Sequence, residues 1–369
     1  MANIFVNALN SSIGGGKNIL DNYLYQLTKI DSCHDYFILT PDYEKYRSFS
    51  RDNMQILEIN KLYKNQFWFL LLYYYKYPQI IQNQRIDVIV NFGDVIIPSK
   101  IPQIYFFDWA YAVYDSKSIW REMDYKNFLI RKTKVLLIKR YIQDVHLILA
   151  QTVNIKERLI AKLNAQNVKV LPTPIGLNAS LKNDSKDFGL PKGRILFLYP
   201  ASFSVHKNFN IVLKVGELID SNDLPFTVVL TLKRNEQTDF FRQIENIKSI
   251  INVSSVNLDD IPSLYNQCDA LFFPSLLESY GLPLVEAMSL EKPILVSDLD
   301  FSRAVCGANA FYFDPCSANS IVEVMKSFNI SQEKLKKKLK AGKQIADSIP
   351  DWAEVAAIFE KEIYFILNR

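Results

Sequence analysis

Cysteine is scarce and scattered in this chain. Its four thiols, Cys33, Cys268, Cys306 and Cys316, form no Cys-x-x-Cys pair, and none has a His at metal-ligand spacing. That excludes a disulfide framework or a zinc module as the organising device, and free thiols in so long a chain fit a reducing compartment. Glycine is also sparse, at 11 of 369 residues, and there is no short repeat or low-complexity tract. The opening residues Met1–Asn7 carry no basic segment and no cleavage site, so no secretory signal is expected. The longest apolar run, Phe67–Tyr75, ends at Lys76 and is too short to span a bilayer. A cytoplasmic protein without a transmembrane helix is the expectation.

What is present is globular composition: 49% hydrophobic and 22% charged residues, with 20 Tyr and 24 Phe. The length suggests two domains. Charge is uneven. Residues 1–185 hold 23 Lys and Arg against 16 Asp and Glu, while the remainder holds 20 against 23. A basic front half fits an anionic partner or surface; a solvated basic face accounts for it equally well.

Short apolar runs alternate with helical stretches. Strands are expected at Ile4–Ala8, Tyr36–Leu39, Gln55–Ile59, Val88–Asn91, Gln103–Phe107, Leu147–Ala150 and Val168–Leu171, with helices such as Asn18–Lys29 and Thr152–Leu163 between them. Residues 172–193 break the pattern with Pro172, Pro174, Gly176, Gly189, Pro191 and Gly193. It resumes at Ile195–Tyr199, Phe226–Thr231, Ala270–Phe273, Ile294–Ser297 and Phe311–Phe313, and a last helix is expected near Trp352–Leu367. This predicts an α/β protein of two doubly wound parallel-sheet domains, at 1–175 and 176–350, with 351–369 as a terminal helix.

Three junctions have chemical potential. In Phe273–Met288 a strand runs into a loop and then a helix. Gly281 can take a backbone conformation other residues resist, and Pro283 suits a first helical turn. The free N–H groups from Ser279 and Tyr280 to Leu284 suit a phosphate, and Glu278 and Glu286 offer carboxylates for sugar hydroxyls. Plain helix capping explains the same residues. In Leu198–Asn208, Lys207 at a strand-to-helix junction can neutralise a diphosphate, although a lone loop Lys is usually just solvated. In Asn10–Asn18, the run Gly14-Gly15-Gly16-Lys17 lets backbone approach an anion. It matches neither a Walker loop nor Gly-x-Gly-x-x-Gly, and a tight turn would explain it too.

These stretches resemble the retaining GT-B glycosyltransferases of family 4, the glycosyl transferases group 1 type. The resemblance rests on Glu278-x7-Glu286 around Ser279-Tyr280-Gly281-Leu282-Pro283, followed by Glu286-Ala287-Met288. It implies two Rossmann-like domains facing a central cleft, with the terminal helix packed back on the first domain. It implies that Glu278 contacts the donor sugar, Glu286 holds the ribose, the Ser279–Leu282 backbone meets sugar and diphosphate, and Lys207 binds phosphate. Where that family often has an Arg, this chain has Ser202; Arg234 or Lys233 is the expected substitute. Gly15 and Gly16 would face the donor phosphates and acceptor. In Tyr105–Trp109, Phe107 stands where many relatives have a His, and Asp108 matches the Asp that follows. Asp108 is then a candidate on the acceptor side, with strand-end capping as the plain alternative.

Two further stretches stand out. Phe67–Tyr77 is apolar all round, unlike an ordinary surface helix. Lys117–Arg140 carries eight Lys and Arg against two Asp and Glu, among Trp120, Tyr125 and Phe128. Basic and aromatic residues together suit an anionic membrane surface and a lipid-linked acceptor, as would a buried helix beside a solvated basic one. The expected function is transfer of a hexose-type sugar from a UDP- or GDP-linked donor to a glycan, lipid-linked acceptor in cell-surface polysaccharide (O-antigen type) assembly. The resemblance implies retention of configuration. No metal and no cofactor are expected, and nucleic acid is not an expected partner. The protein would be cytoplasmic, peripheral at the inner membrane face. A sugar-nucleotide epimerase on the same fold and a non-catalytic binding subunit are the alternatives; Ser202 and Phe107 favour the latter.

Overall fold

The computed structural model describes all residues except 13, 61–62, 64–67, 116, 177–185, 234–237, 329–330 and 369, and leaves the side chains of Lys117, Ser118 and Thr238 undescribed. Two compact units are present: Met1–Gly176 together with Pro350–Arg369, and Leu177–Ile349.

The first unit holds β1 (Asn3–Asn7), β2 (Asp35–Leu39), β3 (Met54–Leu57), β4 (Val88–Asn91), β5 (Gln103–Phe107), β6 (Leu147–Ala150) and β7 (Val168–Val170). They form one seven-stranded sheet in the order β3-β2-β1-β4-β5-β6-β7, with every pairing parallel. β4, β5 and β6 are buried along their whole length, as strands covered on both faces must be. At the carboxyl ends of β1 and β4, Asn7 donates to Asn91 (2.8 Å), Asn91 to Gln103 (2.8 Å), and Tyr77 to Asn7 (2.9 Å). Buried amides need such partners, and the network pins the neighbouring strands. The helix Trp352–Leu367 starts in a capping box, Asp351 with Glu354, and its Trp352 indole donates to the Ile175 carbonyl (3.0 Å). Its buried Phe359 meets Tyr23 and Phe92 edge to face or tilted, so the chain end completes the first unit's core.

The second unit holds β8 (Ile195–Tyr199), β9 (Phe226–Leu230), β10 (Ile250–Asn252), β11 (Ala270–Phe273), β12 (Ile294–Ser297) and β13 (Phe311–Phe313) in a parallel six-stranded sheet ordered β10-β9-β8-β11-β12-β13. Strand order reverses direction between β8 and β11, as it does between β1 and β4 in the first unit. In open parallel sheets, the loops leaving such a switch point diverge and open a crevice at the strands' carboxyl ends. The loop after β8 carries Lys207, and the loop after β11 carries Glu278 and Gly281.

The apolar stretch around 67–77 is not one helix. Phe67 lies outside the described residues. Phe69–Leu71 is a single α-turn, Leu72–Lys76 is a π-helical turn, and Tyr77–Asn83 is α-helical. Leu72, Tyr73 and Tyr77 are buried, whereas Trp68, Leu70, Leu71, Tyr74 and Tyr75 are exposed. The segment therefore has one core-facing side and one exposed aromatic side, which an all-round apolar sequence cannot announce.

Candidate functional site

Lys207 ends a single 3₁₀ turn, Val205–Lys207, and Asn208 follows at φ 57°. Asn tolerates that left-handed conformation better than most side chains. The turn is pinned from several sides. Tyr199, fully buried at the end of β8, donates its hydroxyl to the Lys207 carbonyl (2.7 Å). The Asn208 amide donates to the carbonyls of Pro274 (3.2 Å) and Pro315 (2.9 Å), and the Leu276 N–H donates to the His206 carbonyl (2.8 Å). The loops after β8 and β11 are thus stitched together.

That stitching brings Lys207 Nζ to 2.5 Å from Glu278 Oε1, with side-chain exposures of only 16% and 13%. The Ser275 hydroxyl donates to the same oxygen (2.6 Å), and the ammonium lies 5.2 Å from the Phe273 ring centre. Burial alone would raise the Glu278 pKa. The charges of Lys207 and His206, with the hydrogen bonds from Lys207 and Ser275, outweigh it and hold the carboxyl below its usual range. Glu278 is therefore an ionised acceptor with a cation beside it.

The helix Leu282–Ser289 begins at Gly281, whose φ of 89° is open to glycine and strained for other residues. A Cβ there would also lie 3.1 Å from Leu284 Cδ1. Pro283 occupies the first turn, where its missing N–H costs nothing. Tyr280 is buried, while Ser279 and Leu282 are half-buried. One turn on, half-buried Glu286 accepts from the Tyr265 hydroxyl (3.2 Å). Burial pushes its carboxyl up to about 7, and the Tyr265 hydrogen bond only partly offsets that. Two carboxylates eight residues apart are thus set to opposite sides of their ordinary value, one by a cation and one by burial.

In the first unit Gly15 and Gly16 do not form a loop. They lie in the opening turn of the helix Gly14–Leu27, and Gly14 takes the positive φ of 55°. Asp108 follows β5, half-buried; burial and the nearby Asp94 charge push its carboxyl up to about 7. Phe107 is fully buried in the core, packed edge-on to Tyr105. It cannot replace a polar contact there.

Residues 181–345 match the family model described as glycosyl transferases group 1. The matched stretch covers most of the second unit. The O-antigen chain mannosyltransferase RfbU of Salmonella typhimurium is 23% identical over 203 residues, covering 53% of this chain and 54% of the relative. This chain thus spans about half the length of that curated relative. The whole fold is similar to sucrose-phosphate synthase from Thermosynechococcus elongatus, with TM-score 0.78 and 13% identity over 100% of this chain and 99% of that one. It is also similar to Anabaena HepE in complex with UDP-glucose, with TM-score 0.70 and 13% identity over 99% and 100%. These likenesses place the two-unit architecture in the GT-B class.

Within the matched stretch, Ser202 is exposed in the loop after β8 and Arg234 lies outside the described residues. Lys233 is exposed just after β9. The sequence reading missed Ser275 and Tyr265, the partners that set Glu278 and Glu286 in place. Ser275 lies within the Phe273–Met288 run, three residues before Glu278, whereas only the fold brings Tyr265 against residue 286. The sequence reading also passed over an Asp-x-Asp triplet, Asp298-Leu299-Asp300, after β12. Asp298 is taken by Arg303 at 2.7 and 2.9 Å, and Asp300 accepts from the Phe301 N–H (2.9 Å). Among the described residues, no three His, Cys, Asp or Glu side chains group so as to hold a metal ion.

Proposed function

We propose that the chain is a retaining, metal-independent glycosyltransferase that moves a hexose-type sugar from a UDP- or GDP-linked donor to a glycan acceptor on a lipid carrier, in cell-surface polysaccharide assembly. The observation that carries this is the Lys207–Glu278 pair at the switch point of the second sheet, beside a glycine-initiated helix with Glu286 in it. Lys207 and the Ser279–Leu282 N–H groups supply positive charge to a departing diphosphate, the role a metal ion plays elsewhere. Glu278 accepts hydrogen bonds from the sugar hydroxyls, and Glu286 from the ribose. The acceptor hydroxyl attacks the anomeric carbon from the side of the leaving group. The bond to the diphosphate oxygen breaks, and that oxygen takes the acceptor's proton. Gly15, Gly16 and Asp108 are the first unit's candidate contacts on the acceptor side. The mannosyltransferase name of the Salmonella relative favours a mannosyl donor, and the Anabaena complex supports a nucleotide sugar as the donor class.

A peripheral position at the cytoplasmic membrane face belongs to the same proposal. Trp68, Leu70, Leu71, Tyr74 and Tyr75 are exposed, and the Tyr74 hydroxyl meets that of Tyr141, in the basic helix Tyr125–Tyr141, at 3.1 Å. Among the described residues, no helix is long and apolar enough to cross a membrane. The test of the activity is nucleoside diphosphate release from a panel of UDP- and GDP-hexoses, with and without a lipid-linked glycan. Release that requires the acceptor is expected. Conversion of the donor sugar to its epimer would instead identify the epimerase.

A further inference from the structure

The basic stretch 117–140 holds more than a solvated face. One face of the helix Tyr125–Tyr141 presents Lys132 and Lys139, seven residues and about two turns apart. They line a cavity of about 90 Å³ together with Tyr111, Trp120 and Lys162, the last from the helix Val153–Leu163. Lys132 is exposed, and its Nζ lies 4.4 Å from the Trp120 ring centre, a cation–π contact that holds the ammonium beside the cavity.

One acidic group enters this ring of cations. Asp115 lines the cavity and is ion-paired with Lys162, although its side chain is 86% exposed. The hydrogen bond from Lys162 holds its carboxyl below the usual range, with the charges of Lys162, Lys139 and Lys132 acting the same way. Three lysines from two helices therefore line one cavity with an exposed carboxylate that Lys162 pairs directly. Three positive charges around one negative charge leave a surplus of two, which matches a phosphate or diphosphate better than a neutral sugar.

We propose that this cavity seats the phosphate or diphosphate of the acceptor, with Lys132, Lys139 and Lys162 as its ligands and Asp115 as an internal anion that the phosphate displaces. The proposal rests on the glycosyltransferase reading for the word acceptor; the anion seat itself does not depend on it. A lipid-carrier diphosphate and an anionic phospholipid headgroup share this chemistry, and the experiment separates them.

The probe is inorganic pyrophosphate, titrated calorimetrically into the full-length protein with excess nucleoside diphosphate present to occupy the second unit. Binding in the wild type should weaken at least tenfold in the Lys132→Ala/Lys139→Ala double variant. It should tighten severalfold in Asp115→Asn, because the internal competitor is gone; a purely structural Asp115 would give no tightening. Vesicles of neutral lipid with and without phosphatidylglycerol form the second arm, using the same variants. Unchanged pyrophosphate affinity in the lysine double variant, or no gain in Asp115→Asn, would overturn the seat. So would lysine substitutions that weaken only vesicle binding, since the lysines would then serve a membrane surface. The activity reading fails separately, through absence of acceptor-dependent nucleotide release, and leaves the pyrophosphate titration unaffected.

Discussion

Lys207 Nζ and Glu278 Oε1 meet at 2.5 Å although 71 residues separate them, because the loops after β8 and β11 leave adjacent strands and are tied together by the Asn208 amide. The pair holds an ionised carboxylate and an ammonium at the mouth of a parallel sheet. That arrangement suits the donor chemistry proposed for this unit.

The pair has a pH signature. The Glu278 pKa is depressed in the folded state, so its contribution to stability is present above pH 4.5 and is lost as pH falls through the lower folded value. In Lys207→Met the carboxyl loses its main charge partner, and burial then favours the neutral acid. The variant should be destabilised at pH 7 by about 2–3 kcal/mol, and the deficit should shrink below pH 5. Thermal melts of both proteins across pH 4–8 check this; a deficit independent of pH contradicts the coupling.

Glu286 runs the other way. Its folded value of about 7 lies above 4.5, so the folded state is favoured at low pH, and that contribution is lost as pH rises through 7. Glu286→Gln should therefore raise the melting temperature at pH 8 and change it little at pH 5. If the ionised carboxylate accepts ribose hydroxyls, wild-type nucleotide affinity should increase severalfold from pH 6 to pH 8, and Glu286→Gln should lose that slope. A wild-type affinity flat across this window would remove the ribose role.

Gly281→Ala should destabilise the second unit by about 1–3 kcal/mol, since φ is 89° and the new methyl group would press on Leu284. Gly15→Ala, within a helical turn, should cost nothing or stabilise slightly. Denaturant unfolding of the two variants distinguishes a required positive φ from mere sequence pattern.

Much of this was legible beforehand, for physical reasons. β4, β5, β6, β8, β9, β11 and β12 are buried on both faces, so they appear as unbroken apolar runs that periodicity finds at once. β10 was missed because it is a three-residue edge strand with only Ile250 fully buried. The glycines at 14–16 suggest a loop, yet the helix starts at Gly14, because burial of Ile19, Leu20, Tyr23 and Leu24 on one face outweighs the poor helix propensity of the glycines. Lys207, Glu278 and Glu286 were visible through loop chemistry and resemblance. Ser275 stands three residues before Glu278 in the same loop, but nothing in the spacing tells that its hydroxyl turns to that carboxylate, and the bond from Tyr265 crosses elements and leaves no local trace.

Stereochemistry is a separate expectation. The product should keep the donor's anomeric configuration, and Asp108→Asn should retain appreciable activity, since the departing phosphate oxygen takes the proton. Burial and the Asp94 charge push the Asp108 carboxyl up to about 7, which would suit a base, so it is the residue to exclude. Proton NMR of the new anomeric signal soon after mixing reads the outcome. An inverted product with complete loss in Asp108→Asn would make Asp108 the base.

Donor binding by the second unit is proposed to run through Lys207 and Glu286, and calorimetric titration of UDP and GDP into wild type, Lys207→Ala and Glu286→Ala decides it. One of the two nucleotides should bind the wild type. Each substitution should cost about 1.5–3 kcal/mol, or roughly tenfold to a hundredfold in Kd, as expected for one charged hydrogen bond. Wild-type affinity retained in both correctly folded variants would contradict the account.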